Sequence, residues 1–509
     1  MENAISEIDG WVRVAYTRTM PIPLPHARPY SALLTDLYQL TMAFSYWKSG
    51  VQSKEAVFHL FFRNQPFGSG FSIAAGLGDA IEYLRTLTFS DDELAYLGTL
   101  PGNDGKPLFD PEFLNYLRTM KWTLDVDAIR EGTVVFPHEP LLRVQGPLIQ
   151  CQLVETALLN LLNFQTLIAT KAARVCHATQ GEPVLEFGLR RAQGVEGALS
   201  ASRAAFIGGC AATSNVLAGY RFGIPVRGTH AHSWVMSFDT EKEAFLAYAN
   251  AMPNNSIFLV DTYDTLKGVE CAIEMGRWLR DRGHKLNGIR LDSGDLAWLS
   301  IEARRMLDEA GFPDAVIVAS NDLDEITIAS LKDQGAAINV WGVGTKLVTA
   351  FDQPALGGVY KLSAIREPGG EWQHRVKLSE QAIKVSTPGL QQVRRFRLEG
   401  QFLGDMIHNL DRADEQERVI VDRADPTRRK RIPDAAEFED LLVPVFQGGT
   451  FVGKAPTLPE IREYAQTELA SLYEGHKRFV NPHEYPVGLA PSLHELRTRL
   501  ILEARGTDG

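Results

Sequence analysis

PVLEFGLRRAQG (residues 183–194), IPVRGTHAHSW (224–234), SIFLVDTYDT (256–265), NGIRLDSGDL (287–296), AVIVASNDLDE (315–325) and AINVWGVGTKL (337–347) share one plan. Each begins with a short apolar run and ends in a polar or glycine-rich cluster. The stretches between them, such as KEAFLAYANAM and IEARRMLDEAG, carry helical periodicity. Apolar runs without strict alternation suit strands buried on both faces, and strands alternating with helices make a parallel sheet. An open doubly wound sheet and a (β/α) barrel both satisfy that pattern. An open sheet would gather its site at one switch point, whereas a barrel builds it from the loops after many strands. Six successive loops are chemically loaded here, so an irregular (β/α) barrel is expected.

Outward from this block the texture changes. Residues 154–179 (VETALLNLLNFQTLIATKAARVCHAT) read as a long helix with almost no polar face at its start, hence buried. Before it, residues 126–150 read as short strands with Pro and Gly turns, 56–63 (AVFHLFFR) as a strand, and 36–50 as a helix capped by Asp36 and ended by Gly50. Residues 100–125 look loop-rich. Beyond about residue 358, GGVYKLSAIRE, HRVKLSE and VRRFRLEG read as charged antiparallel strands and RADPTRRKRIPD as a charged linker or surface loop. EIREYAQTELASLYEGHKRFV and PSLHELRTRLILEARG read as amphipathic helices. The expected organisation is a lead-in over 1–30, broken by Pro21, Pro23, Pro25 and Pro29, and an N-terminal α/β domain over 31–150. The barrel with the active site would span 151–365, and a β/helical region over 366–509 would pack back on the N-terminal domain.

Composition narrows the function. With 52 Lys and Arg against 63 Asp and Glu the net charge is −11, so no general basic face for nucleic acid is expected. Anionic small molecules remain accessible to a few converging cations. No run of about 20 apolar residues spans a membrane, and the N-terminus resembles no signal peptide, so cytoplasm is the expected location. Cys151, Cys176, Cys210 and Cys271 lack C-x-x-C spacing and read as buried free thiols.

The strand-end clusters carry the chemistry. Arg190 and Arg191 could clamp a carboxylate or phosphate, since a guanidinium matches both in bidentate fashion. Such a pair is more often a plain surface salt-bridge partner; the flanking Gly188 and Gly194 favour close approach to a ligand. His230 and His232, at i and i+2, share a face in an extended segment. Without a third ligand they make a poor metal site, but a neutral imidazole can accept a phosphoryl group. Each alone is more often structural. Arg290, Asp292, Ser293 and Asp295 combine a cation with two carboxylates, which suits Mg²⁺ near Asp292 and Asp295; the plain alternative is a helix start capped by Asp292 or Ser293. Gly344 and Thr345, and the pair Gly357 and Gly358, sit in turns whose N–H groups could cradle a phosphate, although an ordinary turn is the default. The residues by themselves give a barrel enzyme whose substrate carries phosphates.

Taken in order, TDLYQLTMA, EFGLRRAQG, GTHAHSW, RLDSGDL, ASNDLDE, GVGT and GGVYKL, spread from Leu33 to Ile365, resemble the nicotinate phosphoribosyltransferase family in its longer form. The resemblance implies an irregular α/β barrel of phosphoribosyltransferase type beside an α/β domain built from both chain ends, and a homodimer with active sites at the interface. It implies an ATP-dependent, ligase-type enzyme joining nicotinate to 5-phosphoribosyl 1-pyrophosphate, the first step of NAD salvage from nicotinic acid, with Mg²⁺ as cofactor and ATP as co-substrate. Tyr38 would stack on the nicotinate ring, supplied by the partner subunit, and Thr229 and Arg290 would contact nicotinate. Arg190, Asp292, Ser293, Gly344, Thr345, Gly357 and Gly358 would bind phosphoribosyl pyrophosphate. His232 would carry the phosphoryl group, with His230 as its alternative.

Nicotinamide phosphoribosyltransferase is the nearest rival, disfavoured because the first two motifs resemble the acid-using family and Arg290 would pair with the ring carboxylate. Quinolinate phosphoribosyltransferase is shorter and would need more cations. An inactive phosphoribosyl sensor would lack ATPase activity, and a metal hydrolase using His230 and His232 would hold zinc.

Overall fold

The computed structural model describes residues 30–412 and 417–506. The expected lead-in lies outside the described residues, apart from Tyr30. The loaded block forms six parallel strands: β1 (Val184–Glu186), β2 (Ala212–Thr213), β3 (Ile257–Leu259), β4 (Gly288–Leu291), β5 (Val316–Ala319) and β6 (Val340–Val343). Their order across the sheet is β2-β1-β6-β5-β4-β3. Helices such as Thr265–Arg280, Leu296–Glu309 and Glu325–Asp333 connect successive strands, and each is started by an aspartate (Asp264, Asp295, Asp324) that accepts an N–H of the first turn. That aspartate ends each polar cluster because it is both the loop's last residue and the helix cap.

IPV at 224–226 was expected as a full strand but makes only one parallel bridge, Val226 to Thr213 beside β2. Pro225 has no N–H to give to a ladder. The strand found instead, β2, has two residues, too short to announce itself. The chain then runs from this edge across to the other. His230 Nε2 accepts the Leu259 N–H of edge strand β3 at 3.3 Å, and Arg290 of β4 donates to Thr229 Oγ1 at 2.5 Å. The segment that bridges β2 at Val226 thus reaches the β3 edge through the His230 side chain, and among the described residues no backbone ladder joins β2 to β3, so the sheet is open.

A second, seven-stranded sheet is built from both ends of the chain. Strand Glu55–Phe62 pairs antiparallel with Gly358–Arg366 on one side and Leu142–Pro147 on the other, and Leu442–Gln447 pairs with Asp125–Ile129. Gly358–Arg366, assigned by the sequence reading to the barrel segment, thus belongs to this sheet by its hydrogen bonds. A third sheet is formed wholly from residues 391–489. Within it Arg429–Arg431, read as a surface loop, pairs with Val419–Val421. HRVKLSE contributes only His374 to the edge strand Gln373–His374, and Pro111–Thr119 is a helix inside the stretch read as loop-rich.

Helix Glu155–Ala178 runs as expected, with sixteen buried residues on its faces, and packs on the barrel helices Gly194–Ile207 and Glu325–Asp333. Buried ion pairs tie these parts together. Arg203 of the barrel donates to both oxygens of Glu131 at 2.7 Å, and Arg395 pairs with Asp405 and Glu468 with no solvent exposure. Helix Leu37–Lys48 starts after Asp36, but Asp36 does not cap it; its carboxylate accepts from Thr156 at 3.1 Å. All four cysteines are free, with Cys151 and Cys210 buried and the other two half-buried.

Candidate active site

The loops after β3 and β4 and the 229–232 segment converge on one group of side chains. Asp261, directly beyond β3, is its centre. Its Oδ2 accepts the Asp292 N–H at 2.8 Å and the Ser293 hydroxyl at 2.6 Å. Its Oδ1 is buried and has no hydrogen-bond partner. That oxygen stands 4.0 Å from His232 Nε2, and Asp292 Oδ2 stands 3.7 Å from the same nitrogen. The other His232 nitrogen, Nδ1, lies 3.2 Å from Thr262 Oγ1. With Nδ1 directed at the hydroxyl, Nε2 faces the cleft between two carboxylates. Asp292 is itself fixed by the Ser320 hydroxyl.

The two histidines have different environments. His230 is buried and packs against Tyr248 with ring centroids 4.8 Å apart. Its Nε2 is spent on the β3 edge and its Nδ1 is 3.4 Å from the Ala231 carbonyl. Burial, with Arg290 and His232 nearby, pushes its pKa down to about 4, so it is neutral at physiological pH. An Nε2 that accepts an N–H carries no proton, so the proton resides on Nδ1. The His232 side chain is 38% exposed and its Nε2 has no such engagement.

Arg290 projects from β4 with one guanidinium nitrogen on Thr229. Its Nε is buried without a partner. Burial lowers its pKa, with Asp292 and Asp261 opposing and Arg190 adding to the effect. Arg190 and Arg191 lie in the turn after β1 and are exposed. Gly188 opens that turn because a Cβ there would fall 2.3 Å from Val348; likewise a Cβ on Gly344 would fall 3.2 Å from the Phe187 carbonyl. The arginine turn and the Gly344–Thr345 loop are thus pressed together. Lys346 there pairs with Asp324 at 2.6 Å.

The structure gathers Thr229, His232, Arg290, Asp292 and Ser293, with Arg190 in electrostatic reach of Arg290. Asp295, expected near Mg²⁺, is instead the cap of helix Leu296–Glu309, accepting the Trp298 N–H at 3.1 Å. Neither Asp292 nor Ser293 caps that helix: the Asp292 carboxylate accepts the Ser320 hydroxyl, and the Ser293 hydroxyl donates to Asp261. Gly357 adopts φ +73°, and Gly358 leads into its strand where a Cβ would fall 2.0 Å from Asn163 Oδ1. Asn163 Oδ1 is a second buried oxygen without a partner. Tyr38 sits half-exposed on the first helix, neighboured by Gln39, Glu155 and Thr156. Asp261, Thr262, Ser320 and Asn163 were missed from the sequence. DTYDT had been noticed as a polar cluster after a strand, which was the available signal for Asp261 and Thr262.

Among the described residues no three His, Cys, Asp or Glu side chains are placed to hold a metal. Mg²⁺ asks for less, one or two carboxylates with the remaining ligands from water and phosphate. The unpartnered Asp261 Oδ1 and the Asp292 Oδ2, 4.0 and 3.7 Å from the same His232 nitrogen, fit that donor set.

A parallel α/β sheet whose strand-end loops bring an arginine, a carboxylate pair and a free imidazole nitrogen together defines an enzyme class that handles anionic, phosphorylated substrates. Comparison with known proteins is specific. Models of the nicotinate phosphoribosyltransferase N-terminal domain, family and C-terminal domain match residues 33–163, 183–373 and 391–497. The chain belongs to the nicotinate phosphoribosyltransferase family. It is 46% identical to the nicotinate phosphoribosyltransferase of Bacillus subtilis, covering 92% of this chain and 96% of the relative. It is 37% identical to that of Homo sapiens, covering 92% and 96%. The crystal structure of human nicotinic acid phosphoribosyltransferase superposes with a TM-score of 0.78 at 33% identity, covering 92% of this chain and 99% of that one. No helix among the described residues is long and apolar enough to cross a membrane.

Proposed function

We propose that this chain joins nicotinate to 5-phosphoribosyl 1-pyrophosphate, giving nicotinate mononucleotide and pyrophosphate, as an entry step of NAD salvage. The observation that carries the reading is the buried, unpartnered Nε of Arg290 beside Thr229, on a chain of this family. A buried guanidinium with a vacant donor is matched to the carboxylate of nicotinate, and a neutral amide in that place would leave the charge unpaired. Tyr38 would come from a partner subunit of a homodimer, since within one chain its neighbours lie on the first and the long helix.

In the reaction the C1–O bond to pyrophosphate breaks and its electron pair leaves with pyrophosphate. The lone pair of the nicotinate ring nitrogen forms the new N–C1 bond. Arg190 would stabilise the departing phosphates, and holding the ring in line removes orientational entropy from the barrier. The backbone at Gly344, Thr345, Gly357 and Gly358 would take the ribose phosphate, with Asp292 and Ser293 ordering the sugar side. Mg²⁺, when bound at Asp261 and Asp292, would neutralise charge on the phosphates.

ATP coupling would run through His232. Its Nε2 lone pair attacks the γ-phosphorus, a P–N bond forms, and the P–O bond to ADP breaks. Thr262 accepts from Nδ1–H, leaving Nε2 the nucleophile, and Asp261 and Asp292 stabilise the cationic ring that results. The commitment of His230 Nε2 to the Leu259 N–H favours His232 over His230 for this role. The enzyme would be cytoplasmic and ATP-dependent, of ligase type. The test is phosphoribosyl pyrophosphate-dependent formation of nicotinate mononucleotide with nicotinate or nicotinamide offered. Arg290→Gln should raise the nicotinate KM by roughly 10- to 100-fold, the equivalent of a charge-assisted hydrogen bond of about 1.5–3 kcal/mol, and change nicotinamide use little. Preferred use of nicotinamide by the wild type would overturn the substrate assignment.

A further inference from the structure

Two of the free thiols meet at the opposite end of the parallel sheet from the strand-end loops. Cys176 lies in the last turn of helix Glu155–Ala178. Cys210 follows helix Gly194–Ile207 and precedes β2. The Ala211 N–H donates to the Val184 carbonyl at 2.8 Å, so this corner sits where β1 and β2 begin.

Two glycines permit the approach. A Cβ on Gly208 would fall 2.3 Å from the Ala169 carbonyl oxygen and 2.6 Å from the Ala172 Cβ. One on Gly209 would fall 3.3 Å from Cys176 Sγ and 3.4 Å from Cys176 Cβ, and Gly209 holds φ +119°. The end of the second helix is thus pressed onto the 169–176 face of the first. The Cys210 N–H donates to the Ala205 carbonyl at 3.0 Å, which fixes its backbone, and the Cys210 thiol hydrogen-bonds to Cys176.

The two thiols are unequal. Cys210 is fully buried and Cys176 is half-buried, so a small solute reaches Cys176 first. The bond to Cys176, then burial, keeps the Cys210 thiol protonated well above the ordinary range, and Arg462 opposes this. Arg462, on helix Leu458–Ser471, donates from Nη2 to the Gly209 carbonyl at 3.0 Å, and its Nε is buried without a partner. A cation with a spare donor therefore stands one residue from Cys210. The remaining cysteines have other surroundings: the Cys151 thiol donates to the Ala56 carbonyl at 3.7 Å, and Cys271 lies near Glu241 and Glu274. A reachable sulfur with a second thiol against it is how redox-responsive cysteines are built.

We propose that Cys176 and Cys210 form an oxidisable dithiol, in which a hydroperoxide reacting at Cys176 leads to a Cys176–Cys210 disulfide that staples helix Glu155–Ala178 to the end of helix Gly194–Ile207. In the first step the Cys176 thiolate attacks a peroxide oxygen. An S–O bond forms, the O–O bond breaks, and the leaving oxygen departs as water once it takes up the proton Cys176 has released. In the second step the Cys210 sulfur attacks the Cys176 sulfur. The S–S bond forms, the S–O bond breaks, and the hydroxyl leaves as water with the Cys210 proton. Two thiols lose two electrons and the peroxide is reduced to water. The new bond closes the chain between residues 176 and 210 and restricts the unfolded state.

The test uses the full-length protein, reduced and then freed of reductant. It is treated with hydrogen peroxide, alkylated with N-ethylmaleimide in denaturant and digested without reduction for mass spectrometry. Two of the four thiols should disappear into one cross-linked peptide joining Cys176 to Cys210, and dithiothreitol should restore both. The oxidised protein should unfold at a Tm higher by about 3 °C or more. Cys210→Ser should stop at a Cys176 sulfenic acid that dimedone captures, and Cys176→Ser should retain its remaining thiols. A chain carrying Cys151→Ser and Cys271→Ser should cross-link as the wild type does. Survival of all four thiols, a cross-link between other cysteines, or wild-type Cys176 oxidised while Cys210 stays free overturns the pair. A cross-linked protein with an unchanged Tm overturns the staple. Neither readout depends on nicotinate turnover.

Discussion

Replacing His230 and His232 separately should split stability from phosphoryl transfer. His230→Ala leaves the Leu259 N–H at the β3 edge without its acceptor. An unsatisfied buried donor costs about 1–3 kcal/mol. The ring also leaves its place against Tyr248 and Phe245, 4.8 and 6.1 Å away between centroids. Aromatic contacts of this kind contribute about 0.5–1.5 kcal/mol beyond area. The sum is a loss of about 2–6 kcal/mol at neutral pH. His232, more than a third exposed and held by a single hydrogen bond to Thr262, should cost under about 1 kcal/mol on replacement by Ala. Urea unfolding followed by tryptophan fluorescence reads the first quantity. Incorporation of label from γ-³²P-ATP, stable to alkali and labile to acid, reads the second. His232→Ala should be well folded and unlabelled. His230→Ala should be destabilised yet labelled where it remains folded, and His230→Gln, which restores an acceptor, should recover part of the stability. A stable His230→Ala that takes up no label would refute the assignment of roles.

Gly358→Ala should lose activity and stability because its Cβ meets Asn163, and Asn163→Ala in the same chain should restore part of both, measured by activity and unfolding midpoint. Arg395→Leu should destabilise by about 3–5 kcal/mol in urea, since Asp405 and Glu468 are left buried and uncompensated. Glu241 provides a pH test. Burial, with Asp261 and Asp264 nearby, pushes its carboxyl up to about 7 from an ordinary value of 4.5. A raised acid binds its proton more tightly when folded, so its charge opposes folding increasingly as pH rises from about 4.5 to about 7. Glu241→Gln should therefore gain stability relative to wild type across that window, and parallel pH profiles would contradict the cause given.

The parallel sheet was legible because each strand is a short apolar run ended by a helix-capping aspartate or a glycine turn. What was not legible has physical reasons. β2 has two residues, below the length at which apolar patterning shows, and Pro225 made a bridge resemble a strand. The expected capping by Asp292 or Ser293 failed because capping propensity is local, while the Ser293 hydroxyl is taken by Asp261, 32 residues away in sequence, and the Asp292 carboxylate by Ser320. The same distance hid Asp261, whose importance lies in which N–H and O–H groups the fold brings to it. His230 and His232 were indistinguishable by spacing. In the structure their surroundings differ, since one His230 nitrogen serves the sheet edge.

The most direct measurement is formation of nicotinate mononucleotide from nicotinate and phosphoribosyl pyrophosphate, with and without ATP, by wild type and His232→Ala. The account predicts that wild type uses nicotinate over nicotinamide, that ATP stimulates it, and that the variant keeps a basal rate without the stimulation. A variant that ATP stimulates as strongly as wild type would contradict the role of His232, and failure of wild type to use either base would contradict the activity itself.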